Sequence, residues 1–203
     1  NDNPDIGLAE NGTGNISSFQ ANNSSSEQIV ANITVTSVYT YNDVSCDGDS
    51  TTFKIIVNPS PQVVFSEDNQ FITSGETTAS VDLTSPTSGV TFAWTAVADN
   101  GITGLTTTSG TNSIPEETLF NTTTDPLTVI YTAVASGNIG FDCEGLPFYY
   151  EVTVNPKAQV NPLDPQTVCN DEELLIEFTT NVNGGNMTYS WTNDNTAINL
   201  SNT

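Results

Sequence analysis

The tripeptide Val57-Asn58-Pro59 returns as Val154-Asn155-Pro156, Gln62-Val63 as Gln159-Val160, Cys46 as Cys143 and Trp94 as Trp191, each pair 97 residues apart. A period of that length is one small domain in tandem, not a solenoid turn of about 20 to 50 residues. The phase of the repeat is informative too. Asn1-Asp2-Asn3, followed by Ile6 and Leu8, matches Asn193-Asp194-Asn195, followed by Ile198 and Leu200, so residue 1 falls about two positions after where a first repeat would carry its Trp. By the same match Thr203 falls near the middle of a third repeat. The expected organisation is therefore residues 1–59 as the C-terminal part of a first β-sandwich, 60–156 as a complete one, and 157–203 as the N-terminal part of a third, a stretch of a longer array.

Composition points to strands. The chain holds 32 Thr and 24 Asn among 203 residues and few of the Ala, Leu, Glu, Lys and Arg that favour helices. Its 35% of apolar residues are gathered in short runs, the pattern two packed sheets need. Lys54 and Lys157 are the only basic residues against 24 acidic ones, for a net charge of -22. Nucleic acids and anionic lipid surfaces are bound through Lys and Arg that displace counterions, so both are poor partners for this chain. A charge of this size keeps neighbouring copies apart in solution.

Along the complete repeat, strands are expected at 62–65, 79–83, 90–96, 127–134 and 147–154, separated by turn residues at the spacing of a sandwich. Each closing strand ends in Asn-Pro. Proline donates nothing to a ladder, so Pro59 and Pro156 mark short, stiff connections, and the units are expected to form an elongated, semi-rigid array. Trp94 and Trp191 fall on the third strand of their repeats, and a core position is expected for both because sandwiches commonly bury an indole there.

The stretches Ser74-Gly75-Glu76-Thr77-Thr78, Gly89-Val90-Thr91-Phe92-Ala93-Trp94-Thr95, Val129-Ile130-Tyr131-Thr132, Cys143-Glu144-Gly145 and Val152-Thr153-Val154-Asn155-Pro156 carry a family resemblance. They resemble the PKD-like, immunoglobulin-like repeats of very large surface proteins of Bacteroidota, found in proteins similar to the SprB gliding-motility adhesin. The resemblance implies an all-β array of immunoglobulin-like (PKD-like) sandwiches, exported by the type IX secretion system and displayed on the cell surface. It implies no enzyme but the shaft of a giant adhesin for gliding or attachment. Its partners would be neighbouring repeats of the same chain and, through regions outside this stretch, surface polysaccharide or a solid substrate. Spacer modules of an exported polysaccharide-degrading enzyme, or repeats that themselves bind glycans, are the alternatives.

The resemblance also implies a disulfide between a Cys near the start of a repeat, such as Cys169, and one near its end, such as Cys46, with the partners of both outside this chain. Cys143 finds Thr73 where Cys169 stands in its own repeat, and is left unpaired or bonded across the linker to Cys169. The chemistry of sites offers little else. No His is present, which removes Ser-His-Asp and Cys-His catalysis from this stretch. The adjacent carboxylates Glu116-Glu117 and Glu172-Glu173 point to opposite faces if on strands, and are expected on the solvated surface. Asp47 and Asp49 beside Cys46, and Asp142 and Glu144 beside Cys143, form the one candidate for a calcium ion. Asp49-Ser50-Thr51 matches the O-glycosylation pattern of Bacteroidota and makes Ser50 a candidate acceptor. Asn-x-Ser/Thr triplets such as Asn11-Gly12-Thr13 and Asn32-Ile33-Thr34 are read as a consequence of composition.

Overall fold

The computed structural model describes residues 1–137, 143–195 and 198. Its extended elements are strands, with a 3-10 turn at Pro4–Ile6, and no described helix is long and apolar enough to cross a membrane.

The N-terminal region is a hairpin of β1 (Ile29–Tyr41) and β2 (Val44–Val57), paired antiparallel from Ile29 opposite Val57 to Tyr41 opposite Val44. Asn42 and Asp43 connect the strands with φ of 48° and 60°. Two positive values in a two-residue connection define a type I′ turn, whose twist matches that of the strands, and Asn and Asp tolerate it best after Gly. One face alternates inward: Ala31 and Ile33 are buried with Ile6, and Leu8, Phe19, Ile29, Ile55 and Val57 pack around them.

The described residues between Pro61 and Asn155 form a sandwich of two sheets. Its strands are β3 (Val64–Phe65), β4 (Gln70–Thr73), β5 (Val81–Thr84), β6 (Val90–Ala98), β7 (Ile102–Thr103), β8 (Ser109–Gly110), β9 (Ser113–Ile114), β10 (Phe120–Asn121), β11 (Leu127–Gly137) and β12 (Phe148–Asn155). One sheet runs in the order β4-β12-β11-β6-β8 and the other β3-β5-β9, with β10 and β7 paired at one end. All pairings are antiparallel except that of β4 with β12. Strict alternation along β11 sends Val129, Tyr131, Ala133 and Ala135 inward, and Tyr150, Val152 and Val154 follow suit on β12.

Aromatic rings cross this core in a row. Trp94 lies 5.7 Å from Tyr131, Tyr131 lies 5.9 Å from Tyr150, and Phe65 lies 5.4 Å from Tyr150, all tilted as ring quadrupoles prefer. The buried Trp94 donates its Nε1–H to the Ser113 carbonyl at 2.9 Å, so its one polar atom is satisfied. Gly110 sits opposite Trp94, and a Cβ there would come within 2.7 Å of the indole, so only glycine lets β8 close over the ring.

The five strands expected in this repeat are all present with shifted ends, and β4, β7, β8, β9 and β10 add to them. Four of the added strands have two residues each, too few to show alternation. β4 reads Gln-Phe-Ile-Thr, and its large outward Phe71 hides the one buried residue, Ile72.

Residues 159–181 carry the first elements of the same fold without its sheets. Val160 bridges Thr180, flanked by Asn161 N–H to the Thr179 carbonyl at 2.9 Å and Asn181 N–H to the Gln159 carbonyl at 3.1 Å. This is the place of the β3–β5 pair, where Val64 faces Thr84. The Cys169 N–H is held by the Glu172 carboxylate at 2.9 Å, as the Thr73 N–H is held by Glu76 at 2.7 Å, and Asp171 takes the positive φ of Gly75. The repeat seen in sequence is thus also a repeat of local structure.

Candidate functional site: the junction between repeats

At the exit end of the sandwich, Asn121 is buried and uses its whole amide. Its Nδ2 donates to the carbonyls of Asp125 at 2.7 Å and Val154 at 2.8 Å, while its Oδ1 accepts from the Thr123 N–H at 2.8 Å and hydroxyl at 2.7 Å. The loop 121–125 is thereby tied to the last strand one residue before Asn155-Pro156. The same clamp stands at the end of the N-terminal hairpin. Asn23 Nδ2 donates to the carbonyls of Glu27 and Val57, each at 2.8 Å, and its Oδ1 accepts from Ser25 N–H at 3.0 Å and hydroxyl at 2.7 Å. Val57 is the residue before Asn58-Pro59.

The clamped loop is also what the following segment touches. Asn183 donates its backbone N–H to the Thr124 carbonyl at 2.9 Å, and its Nδ2 reaches the Thr124 hydroxyl at 3.1 Å and the Asp125 carboxylate at 3.2 Å. Asn121 therefore holds both the strand that leaves the sandwich and the loop on which the next segment rests. At the entry end, a Cβ at Gly145 would overlap the Pro61 carbonyl oxygen, so the chain enters closely packed against the β11–β12 connection. Sequence reading passed over this clamp because it treated Asn-x-Ser/Thr triplets as compositional. The readable signal was Asn23-Ser24-Ser25-Ser26-Glu27 recurring as Asn121-Thr122-Thr123-Thr124-Asp125.

The residues singled out from sequence are scattered. Trp94 lies at the centre of the core, whereas Trp191 is 38% exposed because the described part of its segment has no facing sheet. Cys46 and Cys169 are exposed, Cys143 is half-buried, and all three are free thiols. The intradomain bridge implied by resemblance does not fit this fold. Thr73 pairs with Asn155 at the end of β12, while Cys143 precedes the start of that eight-residue strand, with its carbonyl accepting from Gly137 N–H. The two positions lie about 25 Å apart along the strand, and a disulfide needs Cα atoms within about 7 Å.

Asp47 and Asp49 do not form a cation loop. They lie on exposed β2 where the register shifts between Thr36 and Val38, a β-bulge with Gly48 packed close to Ser37. Among the described residues no group of three or more carboxylates or thiols is close enough to hold a metal, and Asp142 lies outside the described residues. Ser50 is in the middle of β2, its hydroxyl 2.6 Å from that of Thr36. The pair Glu116-Glu117 corrects an expectation: Glu116 is exposed, but Glu117 is buried. Burial pushes its carboxyl pKa up, yet hydrogen bonds from the Thr106 hydroxyl and the Thr106 and Thr107 N–H groups outweigh that and hold it below the usual carboxylate range. Its role is structural, closing the loop that precedes β8.

A family model described as PKD-like domain matches residues 70–158, the body of the complete sandwich. That stretch is similar to PKD-like domains, in keeping with an immunoglobulin-like sandwich of two β-sheets. No curated protein matches the chain.

Proposed function

We propose that this chain is a run of PKD-like repeats in the shaft of a giant secreted cell-surface adhesin, serving gliding motility or attachment. The observation that carries the reading is the recurrence of one exit device. Asn23 and Asn121 each lock an end loop to the strand that leads into Asn-Pro, and Thr124 and Asp125 then receive Asn183 of the next segment. A module whose end loop is fixed both to its own last strand and to its neighbour passes tension across the joint through these side-chain and backbone hydrogen bonds. Strand pairing supplies the strength, since residues 60–156 hold no Lys for an isopeptide cross-link. The large negative charge suits an array that must stay extended and unaggregated outside the cell.

The glycan-binding alternative is favoured by one feature, an open groove at the β4 edge lined by Phe65, Phe71 and Tyr149 with Glu67, Asp68 and Asn69. Aromatic faces beside carboxylates suit sugar rings and their hydroxyls. Antibodies against the sandwich decide between location and role. Labelling of intact cells, with loss of attachment or gliding when the antibody is present, is expected. Labelling only after lysis would end the surface assignment.

A further inference from the structure

We propose that the groove along β4 and the start of β12 binds a polysaccharide whose sugars carry free amines. The inference deepens the glycan-binding reading and rests on it, and it is independent of any role in gliding or attachment.

The outer face of this sheet edge holds two large rings that the core does not use. β4 and β12 run in parallel register with Phe71 beside Thr153, and alternation along β12 puts Tyr149, Glu151 and Thr153 on the face that Phe71 shares. Tyr149 is four residues from Thr153, so the rings stand at the ends of a strip about 13 Å long. Phe71 is 75% and Tyr149 66% exposed, against 2% for the adjacent Tyr150. The fold does not ask for them. Ile72, Tyr150 and Val152 are matched in the flanking repeats by Val168, Phe53 and Ile55, all apolar, whereas Phe71 and Tyr149 are matched by Thr167 and Thr52. Inward positions keep their character because the sandwich needs them, and the outward rings do not recur.

The groove is held in shape from within. Phe65, Tyr150 and residues 67–69 line it together with the two rings and enclose about 550 Å³, the size of a small-ligand site. The loop 66–69 is pinned at both ends. Ser66 N–H donates to the Asp82 carbonyl at 3.0 Å, and Ser66 Oγ accepts from the Asp82 N–H at 2.9 Å. Asn69 Oδ1 accepts from the Glu151 N–H at 3.0 Å, which fixes the amide and leaves its Nδ2 with no partner among the described residues. The Tyr150 hydroxyl accepts from Gln70 Nε2. A groove ordered before its ligand arrives loses little entropy on binding.

Charge selects the occupant. Glu67 and Asp68 line the groove and are exposed, and residues 60–156 hold no Lys or Arg to neutralise them. An anionic glycan meets like charge here and is repelled. A neutral one can cover the rings but leaves the carboxylates unmatched. An amino sugar answers both: its C–H face lies on Phe71 or Tyr149, while its protonated amine is drawn to the carboxylates and to the ring faces. Asn69 Nδ2 is then placed to donate to a sugar hydroxyl. A strip longer than one sugar ring suits a chain of them.

Titration of the isotope-labelled full chain with glucosamine trisaccharide, with its N-acetylated counterpart and with trilysine, followed by amide shifts, tests this. The glucosamine trisaccharide should shift Asn69–Phe71 and Tyr149–Glu151 saturably and bind at least about fivefold more tightly than either of the others. Phe71→Ala and Tyr149→Ala should each weaken it about fivefold with an unchanged urea midpoint, since both side chains lie outside the core. Glu67→Gln combined with Asp68→Asn should lower its affinity to that of the acetylated trisaccharide. Equal binding of the two trisaccharides at these amides would overturn the amine assignment and leave the glycan reading standing. No shift at these amides from either would overturn both, and equal binding of trilysine would reduce the effect to charge and overturn the sugar site.

Discussion

The β1–β2 and β11–β12 hairpins are one element in two circumstances. Both are antiparallel, both alternate an apolar and a polar face, and both end in the same asparagine clamp before Asn-Pro. The second is sealed beneath Trp94 and Phe65, whereas the first keeps only Ala31 and Ile33 buried, under Ile6. The difference teaches that register, twist and turn are set within the hairpin, while burial, and most of the stability, comes from the half of the repeat that lies across it.

The comparison breaks most readily at the rings. Trp94→Ala should cost the complete sandwich about 3 to 5 kcal/mol, as emptying a close-packed aromatic site does, and shift its urea midpoint accordingly. Phe53→Ala, at the position equivalent to buried Tyr150, should leave that midpoint within about 0.5 kcal/mol of wild type. An equal loss from both would mean that the two hairpins share one core.

The clamps sharpen it. Asn121→Ala strands the Val154 carbonyl in a buried place and should cost about 1 to 3 kcal/mol, read from the same melts, whereas Asn23→Ala, in a more open setting, should cost less. Asn121→Asp keeps the acceptor side and loses both donated bonds, so it should rescue little.

Titration distinguishes the regions by pH. Burial, with the charge of Glu117 and then Tyr150 adding to it, pushes the Tyr131 hydroxyl up to about 12. A group whose folded pKa is raised favours the folded state fully below its unfolded pKa, near 10 for Tyr, and that contribution is lost as pH rises through the folded value. The sandwich should therefore weaken above about pH 10, and Tyr131→Phe should flatten that alkaline limb. Glu117, depressed, acts in the opposite sense: its contribution is present above the unfolded carboxylate pKa and lost as pH falls through the folded one. Glu117→Gln should remove part of the acid limb. The smallest effect is expected at Ser50. Its pairing with Thr36 is exposed, so Ser50→Ala should change stability by less than about 0.5 kcal/mol.

Much of this was legible in residue order. Repetition of Trp, Cys and Val-Asn-Pro gave the period, and the β-branched run at 127–134 and the closing run at 147–154 gave β11 and β12. What escaped depended on contacts far apart in the chain. β4 is a strand only because β12 lies parallel beside it, and Glu117 is buried only because Thr106 and Thr107 fold over it. Asn121 looked like one of many asparagines until its amide was seen to join a loop to a strand 33 residues later. The bridge implied by the family resemblance meets a related obstacle at positions 73 and 143, which resemblance places in one repeat but the sheet carries to opposite ends of β12.

The central claim is that the stretch from Val63 to Val154 has a sealed core of its own, whereas among the described residues the N-terminal hairpin keeps only a small buried cluster. Pulling single chains from both ends tests it directly. The account predicts one strong unfolding event that releases roughly 300 Å of chain, the extended length of the stretch from Val63 to Val154, with the ends yielding at much lower force. Three events of similar strength, or a single event releasing all 203 residues together, would contradict it.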